Sequence, residues 1–353
     1  THSCNPYDQL GHLSISPSEP FSNRWIPYRV DCQPPALMAS LVREAWAIQP
    51  PDAKTLSNRR EWEDVSWATN RTVVLIGDSL GRENVGFFCQ LLGEQLFEIN
   101  YQHPWHPSGV VNKLRKRQPS HHSHACYIPS IDFLVIQVFT FGLDVDGYWS
   151  GREPLSKPYP YESRMAELAR PYVDAARGVE AEPDLVYLAS AMWDLAKWRE
   201  DDGRAGQDAE SGLDTERLEW YRTRVRDVLL TAREVFPSSP LAWLTNHYQN
   251  KCNKLAWRDD RSRGRQSDER EHQQRPFHRL NRLAQMNQAA RSAYEKDHLG
   301  AGVDTNMWGE IMIGQEKWQR DDLHHLMFPG GYVWADILLY DLKAAVEERT
   351  RWW

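Results

Sequence analysis

Four short runs of consecutive apolar residues constrain the fold of this 353-residue chain more than any other feature of its sequence. Each run is shorter than an ordinary helix, and none alternates apolar with polar residues as a strand with one solvent-facing side does. Such runs indicate strands that are buried on both faces of a sheet. The runs lie at 72–77, 131–139, 184–190 and 240–246.

Segments with a helical spacing of apolar residues separate and follow these runs. Strands that alternate with helices predict βαβ units. We therefore expect an α/β protein with three layers, α/β/α, in which helices cover both faces of a central parallel sheet. The predicted helices lie at 80–92, 161–177, 215–236, 277–298 and 332–348.

The first part of the chain has a different composition. Residues 1–70 are rich in Pro and Trp, which predicts an irregular segment with one helical stretch at 35–47. We expect this segment to pack on a single α/β domain formed by 71–353. Two polar stretches of mixed charge inside the domain, near 199–215 and 258–275, favour insertions that form solvated loops or exposed helices; a lid over a substrate is the alternative.

The charge balance limits the partners of the chain. Its 42 Lys and Arg against 49 Asp and Glu give a net charge of −7, so no nucleic-acid partner is expected. No run approaches the ~20 apolar residues of a membrane span. The sequence begins without an initiator Met or an apolar signal, and we expect membrane contact only through an N-terminal anchor that has been removed.

The five cysteines show no CxxC pair, which argues against a zinc ribbon or a redox motif. Cys4 and Cys32 lie in the Pro-rich segment, where a disulfide would tie irregular chain together. Cys89 lies in an apolar helical run and is predicted to be a free buried thiol, whereas Cys126 and Cys252 lie outside the predicted helices. Together with a glycosylation sequon at 70–72, these features favour a secreted or lumenal protein.

The sequence Gly-Asp-Ser-Leu-Gly-Arg at 77–82 marks the junction between the first predicted strand and its helix. A Ser at this position, Ser79, faces the carboxyl edge of the sheet, where open α/β proteins place their ligands. Backbone N–H groups at the helix N-terminus can hold a developing oxyanion there, and Asp78 can cap the helix. We predict that Ser79 is a nucleophile; an N-cap on an ordinary loop or a phosphate-binding turn is the alternative.

A nucleophilic Ser needs a base, and the base needs a group that orients it. The stretch 319–331 holds two pairs in which an Asp precedes a His by three residues: Asp321 with His324, and Asp322 with His325. Spacing alone does not choose between them, and a polar loop that caps the last helix is the alternative.

Three histidines, His121, His122 and His124, follow a basic stretch at 113–117. A zinc or copper site is one interpretation, but no matching carboxylate or Cys spacing accompanies them. A loop near the candidate nucleophile, or a plain surface loop, is favoured, and no metal site is predicted.

These motifs together resemble the SGNH/GDSL hydrolase superfamily, and more closely its PC-esterase family, which includes the trichome-birefringence-like polysaccharide O-acetyltransferases and the catalytic domains for fungal capsule and sialate O-acetylation. The GDS-x-x-R block matches 77–82, and the D-x-x-H-x-x-x-P-G block matches 322–330. Looser matches lie at 23–28, with Cys32, and at 191–195. Trp334 and the Leu-Leu-Tyr triplet at 338–340 follow the last block as in the family.

The resemblance implies a serine-dependent enzyme without a metal or organic cofactor, acting on acetyl esters of carbohydrate as an O-acetyltransferase or as an acetyl esterase. Its register selects Asp322 and His325 as partners of Ser79. A non-catalytic glycan-binding module is the more distant alternative. For the oxyanion hole or substrate binding, the family resemblance suggests Gly142, Arg82, Asp194 and Trp193.

The 16 Trp residues are unusually many for this length, and they suit a carbohydrate partner because aromatic faces pack on the apolar faces of sugar rings. Those in or near predicted loops, which could line a cleft, are Trp105, Trp149, Trp193, Trp198 and Trp308. Those predicted to lie in the core are Trp46, Trp67, Trp220, Trp243 and Trp334.

Overall fold

The computed structural model describes residues 4–16, 20–45, 63–107, 121–149, 158–207, 211–247, 280–296, 303–315 and 328–351. Within these ranges, seven strands form one sheet, and two more form a separate hairpin. The strands are β1 (Gly11–Ser14), β2 (Arg24–Pro27), β3 (Arg71–Gly77), β4 (Phe97–Ile99), β5 (Ser123–Ile128), β6 (Phe133–Phe139), β7 (Leu185–Leu188), β8 (Leu241–Leu244) and β9 (Val303–Asn306).

Helices connect most of these strands. A π-helical turn, Met165–Ala169, joins the helix that ends at Arg164 to the helix that begins at Arg170, so the three form one continuous segment. The helices are α1 (Leu37–Ala45), α2 (Ser79–Leu91), α3 (Tyr161–Arg164), α4 (Arg170–Arg177), α5 (Met192–Ala205), α6 (Thr215–Val235), α7 (Leu280–Lys296), α8 (Trp308–Ile311) and α9 (Phe328–Arg351).

The large sheet has the order β4-β5-β6-β3-β7-β8-β9. From β6 to β9 all neighbours are parallel, while β4 and β5 add an antiparallel edge. After β3 the chain goes to β4 at the edge of the sheet, returns inward through β5 to β6 beside β3, and then crosses to β7 on the other side of β3. The carboxyl ends of β3 and β7 therefore flank the point where the strand order reverses, the usual ligand crevice of open α/β sheets.

Alternate residues of the central strands face opposite layers. In β3, Val73 and Leu75 pack into a core shared with α1, α2 and α9, whereas Val74 and Ile76 pack into a second core shared with α3 to α7. These residues are fully buried, as expected for a parallel strand covered on both faces. The three-layer α/β/α fold predicted from the apolar runs is confirmed.

The N-terminal segment packs on α9. The hydroxyl of Tyr7 and the backbone N–H of Met38 both donate to the carboxylate of Asp336, each at 3.0 Å. The disulfide expected between Cys4 and Cys32 is present and ties the segment to itself. The segment also holds the β1–β2 hairpin, which the Pro-rich sequence did not predict.

The prediction that Cys89 is a free thiol is wrong, because Cys89 forms a disulfide with Cys126. Both residues are fully buried, Cys89 on α2 and Cys126 on β5. The apolar pattern correctly indicated burial, but it carried no information on which strand α2 covers. Cys252 lies outside the described residues.

The polar stretch near 199–215 contains regular structure. Its first part continues α5 as far as Ala205, and Asp202 is buried there between Arg217, at 2.6 Å, and Arg282, at 2.9 Å. The stretch 258–275 lies outside the described residues, and the boundary at 70/71 stays a prediction. Within the described ranges, no helix combines the length and apolar composition needed to cross a membrane.

Candidate active site

The turn between β3 and α2 places Ser79 at the first position of the helix. Asp78 is the N-cap: its backbone is extended, and its Oδ1 accepts from the Leu80 N–H at 2.9 Å. Ser79 is half-buried at the carboxyl edge of the sheet. The strand–turn–helix geometry expected around the candidate nucleophile is therefore present.

Two buried polar side chains donate hydrogen bonds to the backbone carbonyls just before Ser79. Gln137, fully buried on β6, donates from Nε2 to the carbonyl oxygens of Gly77, at 3.1 Å, and Asp78, at 3.4 Å. On the other face of the sheet, the Tyr161 hydroxyl donates to the Ile76 carbonyl at 2.6 Å. Gln137 is a lone polar residue inside an apolar strand, a signal that sequence reasoning could have used.

The loops after the neighbouring strands are joined to β3 by backbone hydrogen bonds. The Thr140 N–H donates to the Gly77 carbonyl, and the Ala189 N–H donates to the Ile76 carbonyl, each at 2.9 Å. The loop that carries Gly142, and the loop that leads to Asp194 in the first turn of α5, therefore begin beside the Ser79 turn.

Gly142 and Asp194, both predicted for the oxyanion hole or substrate binding, lie against each other. Gly142 has a φ of +70°, and a Cβ there would lie 2.5 Å from Oδ1 of Asp194. The same Oδ1 accepts from the Leu143 N–H at 2.8 Å, and Oδ2 accepts from the Ser190 hydroxyl at 2.6 Å. The Asp194 carboxylate thus links the loop after β6 to the loop after β7.

Burial is the main cause that raises the pKa of Asp194 to about 6. The hydrogen bonds from Ser190 and Leu143 oppose this shift, and the nearby carboxylate of Asp144 adds to it. With an exposed fraction of 2%, Asp194 has little surface to offer a substrate. Its engaged oxygens suit a residue that shapes the loop.

Trp193, at the start of α5, belongs to an aromatic cluster beside Gly142. Its ring contacts Phe141 at a centroid distance of 4.4 Å and Trp149 at 4.8 Å, both edge to face. His121 packs on Phe141 and on Phe139 at 4.9 Å each. Trp193 is half-buried, so part of its ring lies at the surface of the cluster.

Arg82 lies on the first turn of α2 and approaches the β5 side of the sheet. Burial first, and the positive charge of Arg82 second, lower the pKa of His124 to about 4. His122 lies nearby, with its Nε2 3.3 Å from Oε1 of Glu98. The histidine run therefore lies at the same edge as Ser79. Among the described residues, no group of three or more His, Cys, Asp or Glu is arranged to hold a metal ion.

Asp322 and His325, predicted as the orienting acid and the base, lie outside the described residues, as do Asp321 and His324. The nearest described part of that region is the start of α9. There Gly331 lies against the ring of Phe87 on α2, with no room for a Cβ. This contact puts the beginning of α9 beside the helix that Ser79 opens.

The tryptophans divide differently from the prediction. Trp243 and Trp334 are buried core residues as expected, whereas Trp67 and Trp220 are half-buried, and Trp46 lies outside the described residues. Among the predicted cleft residues, Trp105 and Trp193 are half-buried. Those nearly or fully buried are Trp149, Trp198 and Trp308, the last two within helices.

No protein-family model matches this sequence, and no curated protein matches it either. Solved structures do match in overall arrangement, at 9–14% sequence identity.

One is a catalytic mutant of an acetylxylan esterase from Geobacillus stearothermophilus, at 12% identity, with 78% of this chain and 95% of that chain covered and a TM-score of 0.39. A second is an α/β hydrolase enzyme from the metagenome of Lake Arreo, Spain, at 14% identity, with 80% and 99% covered and a TM-score of 0.34. A third is a GDSL-like lipase from Parabacteroides merdae, at 9% identity, with 78% and 97% covered and a TM-score of 0.36.

Proposed function

We propose that this chain is a serine-dependent acyl-transfer enzyme that acts on O-acetyl esters of carbohydrate through an acetyl-Ser79 intermediate. The observation that carries the proposal is the position of Ser79. It opens α2 at the carboxyl edge of the sheet, beside the point where the strand order reverses. The N–H groups of the first turn of α2 point toward the same edge and carry the positive end of the helix dipole.

In the proposed first step, Ser79 Oγ forms a bond to the acetyl carbon while its proton passes to His325, which Asp322 orients. The carbonyl oxygen becomes an oxyanion. When this intermediate collapses, the ester C–O bond breaks, and the leaving sugar oxygen takes the proton from the imidazolium. In the second step a hydroxyl attacks acetyl-Ser79 by the reverse sequence.

Chain length supports the proposed partnership between Ser79 and His325. Gly331 contacts Phe87, and eight residues of helix, about 12 Å, separate Phe87 from Ser79. Gly331 lies three helical residues, about 4.5 Å, after the start of α9 at Phe328. His325 precedes Phe328 by three residues, which span up to about 10 Å when extended. A base on this part of the chain is therefore within reach of the nucleophile.

Donors for the oxyanion are proposed from groups around the turn: the backbone N–H of Ser79, with Gly142 and Arg82 beside it. Arg82 suits an oxyanion or a substrate oxygen because its fork of donors carries a permanent charge. Losing one such donor typically reduces the rate about 100- to 1000-fold.

The acceptor decides between the two proposed activities. A sugar hydroxyl as acceptor makes the enzyme an O-acetyltransferase, which the PC-esterase resemblance favours; water makes it an acetyl esterase. The two disulfides, Cys4–Cys32 and Cys89–Cys126, favour an oxidising compartment, so we place the chain outside the cell or in the lumen of the secretory pathway. Exposed Asn70, in the sequon, suits that location.

The test compares wild type with Ser79→Ala, and with Ser238→Ala as an exposed control, on 4-nitrophenyl acetate and on an acetylated polysaccharide. We expect Ser79→Ala to lose at least about 10⁴-fold in kcat. Mass spectrometry should find one acetyl group on Ser79 in the wild type. Free acetate measured with and without a deacetylated acceptor separates hydrolysis from transfer. Full activity in Ser79→Ala would overturn the proposal.

A further inference from the structure

A cavity of about 340 Å³ lies between α5 and the start of α6, away from the Ser79 turn. This volume falls in the range of small-molecule sites. Side chains of both helices and of the segments that flank them line it. Those on which the argument rests are Lys197, Trp198, Asp214, Glu216, Arg217 and Trp220.

An aromatic pair forms one wall of the cavity. Trp198 and Trp220 meet edge to face with their ring centroids 5.8 Å apart. Trp198 is nearly buried, at 6% exposed, and the guanidinium of Arg217 lies 5.9 Å from the centre of its ring. Trp220 is only half-buried. Trp220 therefore offers aromatic surface to a ligand, and Trp198 holds it in place.

The cations at the cavity are already engaged by carboxylates. The Lys197 ammonium lies 2.6 Å from Asp144, and the Arg217 guanidinium lies 2.6 Å from the buried Asp202. These pairs offset the attraction for an anion. The carboxylates of Asp214 and Glu216 add hydrogen-bond acceptors to the lining.

This combination suits a neutral molecule with many hydroxyl groups. Hydroxyl donors match the carboxylate oxygens, and the apolar face of a sugar ring matches the indole of Trp220. An organic cation is the competing chemistry, because aromatic rings beside carboxylates also bind cations.

The cavity is connected to the candidate active site through α5. Trp193, the second residue of that helix, lies in the aromatic cluster beside Gly142, and Trp198 follows five residues later, about 7.5 Å along the axis. Lys197 reaches Asp144 of the loop that carries Gly142. Trp198 is also turned about 140° around the axis from Trp193, so a polysaccharide that joins the Ser79 edge to the cavity must follow the surface of α5.

We propose that this cavity is a subsite that binds unreacting sugar residues of a neutral polysaccharide, several units from the ester at Ser79. The inference rests on the proposed carbohydrate activity, but its binding step does not need turnover. The subsite would give the enzyme a preference for polymers over small acetyl esters.

The binding test uses the Ser79→Ala protein, which cannot turn over under the proposed mechanism. Its affinity for acetylated xylan and acetylated glucomannan is measured by affinity electrophoresis, with and without a second change, Trp220→Ala. Trp67→Ala is the matched control, because Trp67 is also half-buried but lies next to the amino end of β3. We expect Trp220→Ala to weaken binding about tenfold, the loss of one aromatic contact, and Trp67→Ala to leave it unchanged.

The kinetic test measures kcat/KM with Ser79 intact for polymer and for 4-nitrophenyl acetate. The value of kcat/KM for polymer divided by that for 4-nitrophenyl acetate should fall about tenfold in Trp220→Ala and stay constant in Trp67→Ala. Equal loss on both substrates would show a structural role and overturn the subsite. So would a Ser79→Ala protein that binds neither polysaccharide, or polymer binding displaced by tetramethylammonium. Activity that survives Ser79→Ala would instead overturn the proposed function, and the binding result would still decide the subsite.

Discussion

Replacing Gly142 by Ala tests whether the carboxylate of Asp194 shapes the loop beside Ser79. Gly142 has a φ of +70°, and the new Cβ would lie 2.5 Å from Oδ1 and 2.9 Å from Cγ of Asp194. Because contacts this short are not tolerated, either the loop or the carboxylate must move. In both cases the hydrogen bond from the Leu143 N–H to Asp194 is lost.

The expected cost has two parts. An Ala held in the left-handed region costs about 1–2 kcal/mol relative to Gly. Breaking a buried hydrogen bond to a charged group costs about 1.5–3 kcal/mol. Gly142→Ala should therefore lower the free energy of unfolding by about 2.5–5 kcal/mol.

The same substitution at Gly206 measures the backbone part of this cost alone. Gly206 caps α5 with a φ of +65°, and a Cβ there would meet no atom within 4 Å. Gly206→Ala should therefore cost only the backbone part, about 1–2 kcal/mol. The two variants differ mainly in the contact with Asp194.

The assay is urea unfolding of both variants, with 4-nitrophenyl acetate hydrolysis measured alongside. We expect Gly142→Ala to lose more stability than Gly206→Ala and to lose activity, because the loop it distorts lies beside Ser79. Equal destabilisation by the two changes would refute the reasoning. Adding Asp194→Ala to Gly142→Ala should cost less than the sum of the single changes, since both remove one interaction.

Two further predictions concern stability away from the nucleophile. Replacing Cys89 and Cys126 together by Ala should cost about 4 kcal/mol in the loop-entropy account, given their separation of 37 residues, and urea unfolding of the oxidised wild type and the variant measures this. A second concerns Asp341, which accepts from Tyr187 and Asn306 at 2.7 Å each and whose pKa burial raises to about 7. Because the raised pKa favours the protonated folded form, its stabilising contribution is complete below about pH 4 and is lost as the pH rises through about 7. Asp341→Asn keeps an acceptor and removes the titration, so its stability relative to wild type should rise by about 3 kcal/mol between pH 5 and 8; a difference that stays constant over that range contradicts the assignment.

The sequence predicted the parts of the fold that burial dictates. The run at 72–77 became β3 with one residue added, because a parallel strand covered on both faces must be apolar throughout. In contrast β9, Val303–Asn306, is buried only at its two end residues and is mostly polar. Its pairing with β8 makes it a strand, and four residues leave no periodic signal.

Contacts between distant residues set the other limit of sequence reasoning. The disulfide between Cys89 and Cys126 and the buried pair of Asp202 with Arg282 both depend on which elements pack together. Neither residue type nor spacing carries that information. The residues around the candidate nucleophile were easier to find, since Ser79 lies in a local motif, but the function of Asp194 as a link between two loops needed its partners in view.

The hydrogen bonds that hold the loops beside Ser79 bear on the proposed catalysis. Electrostatic stabilisation of an oxyanion depends on donors that are already in place when charge develops. At this edge the carbonyls of Ile76 and Gly77 accept from the chain after β7 and after β6. Asp194 then joins these two loops to each other through Leu143 and Ser190. Three loops from three adjacent strands thus form one hydrogen-bonded unit around the helix N-terminus. Under the proposed mechanism, an ester at Ser79 would meet donors positioned by the fold itself, and the remaining requirement is a base, which the chain before α9 is long enough to supply.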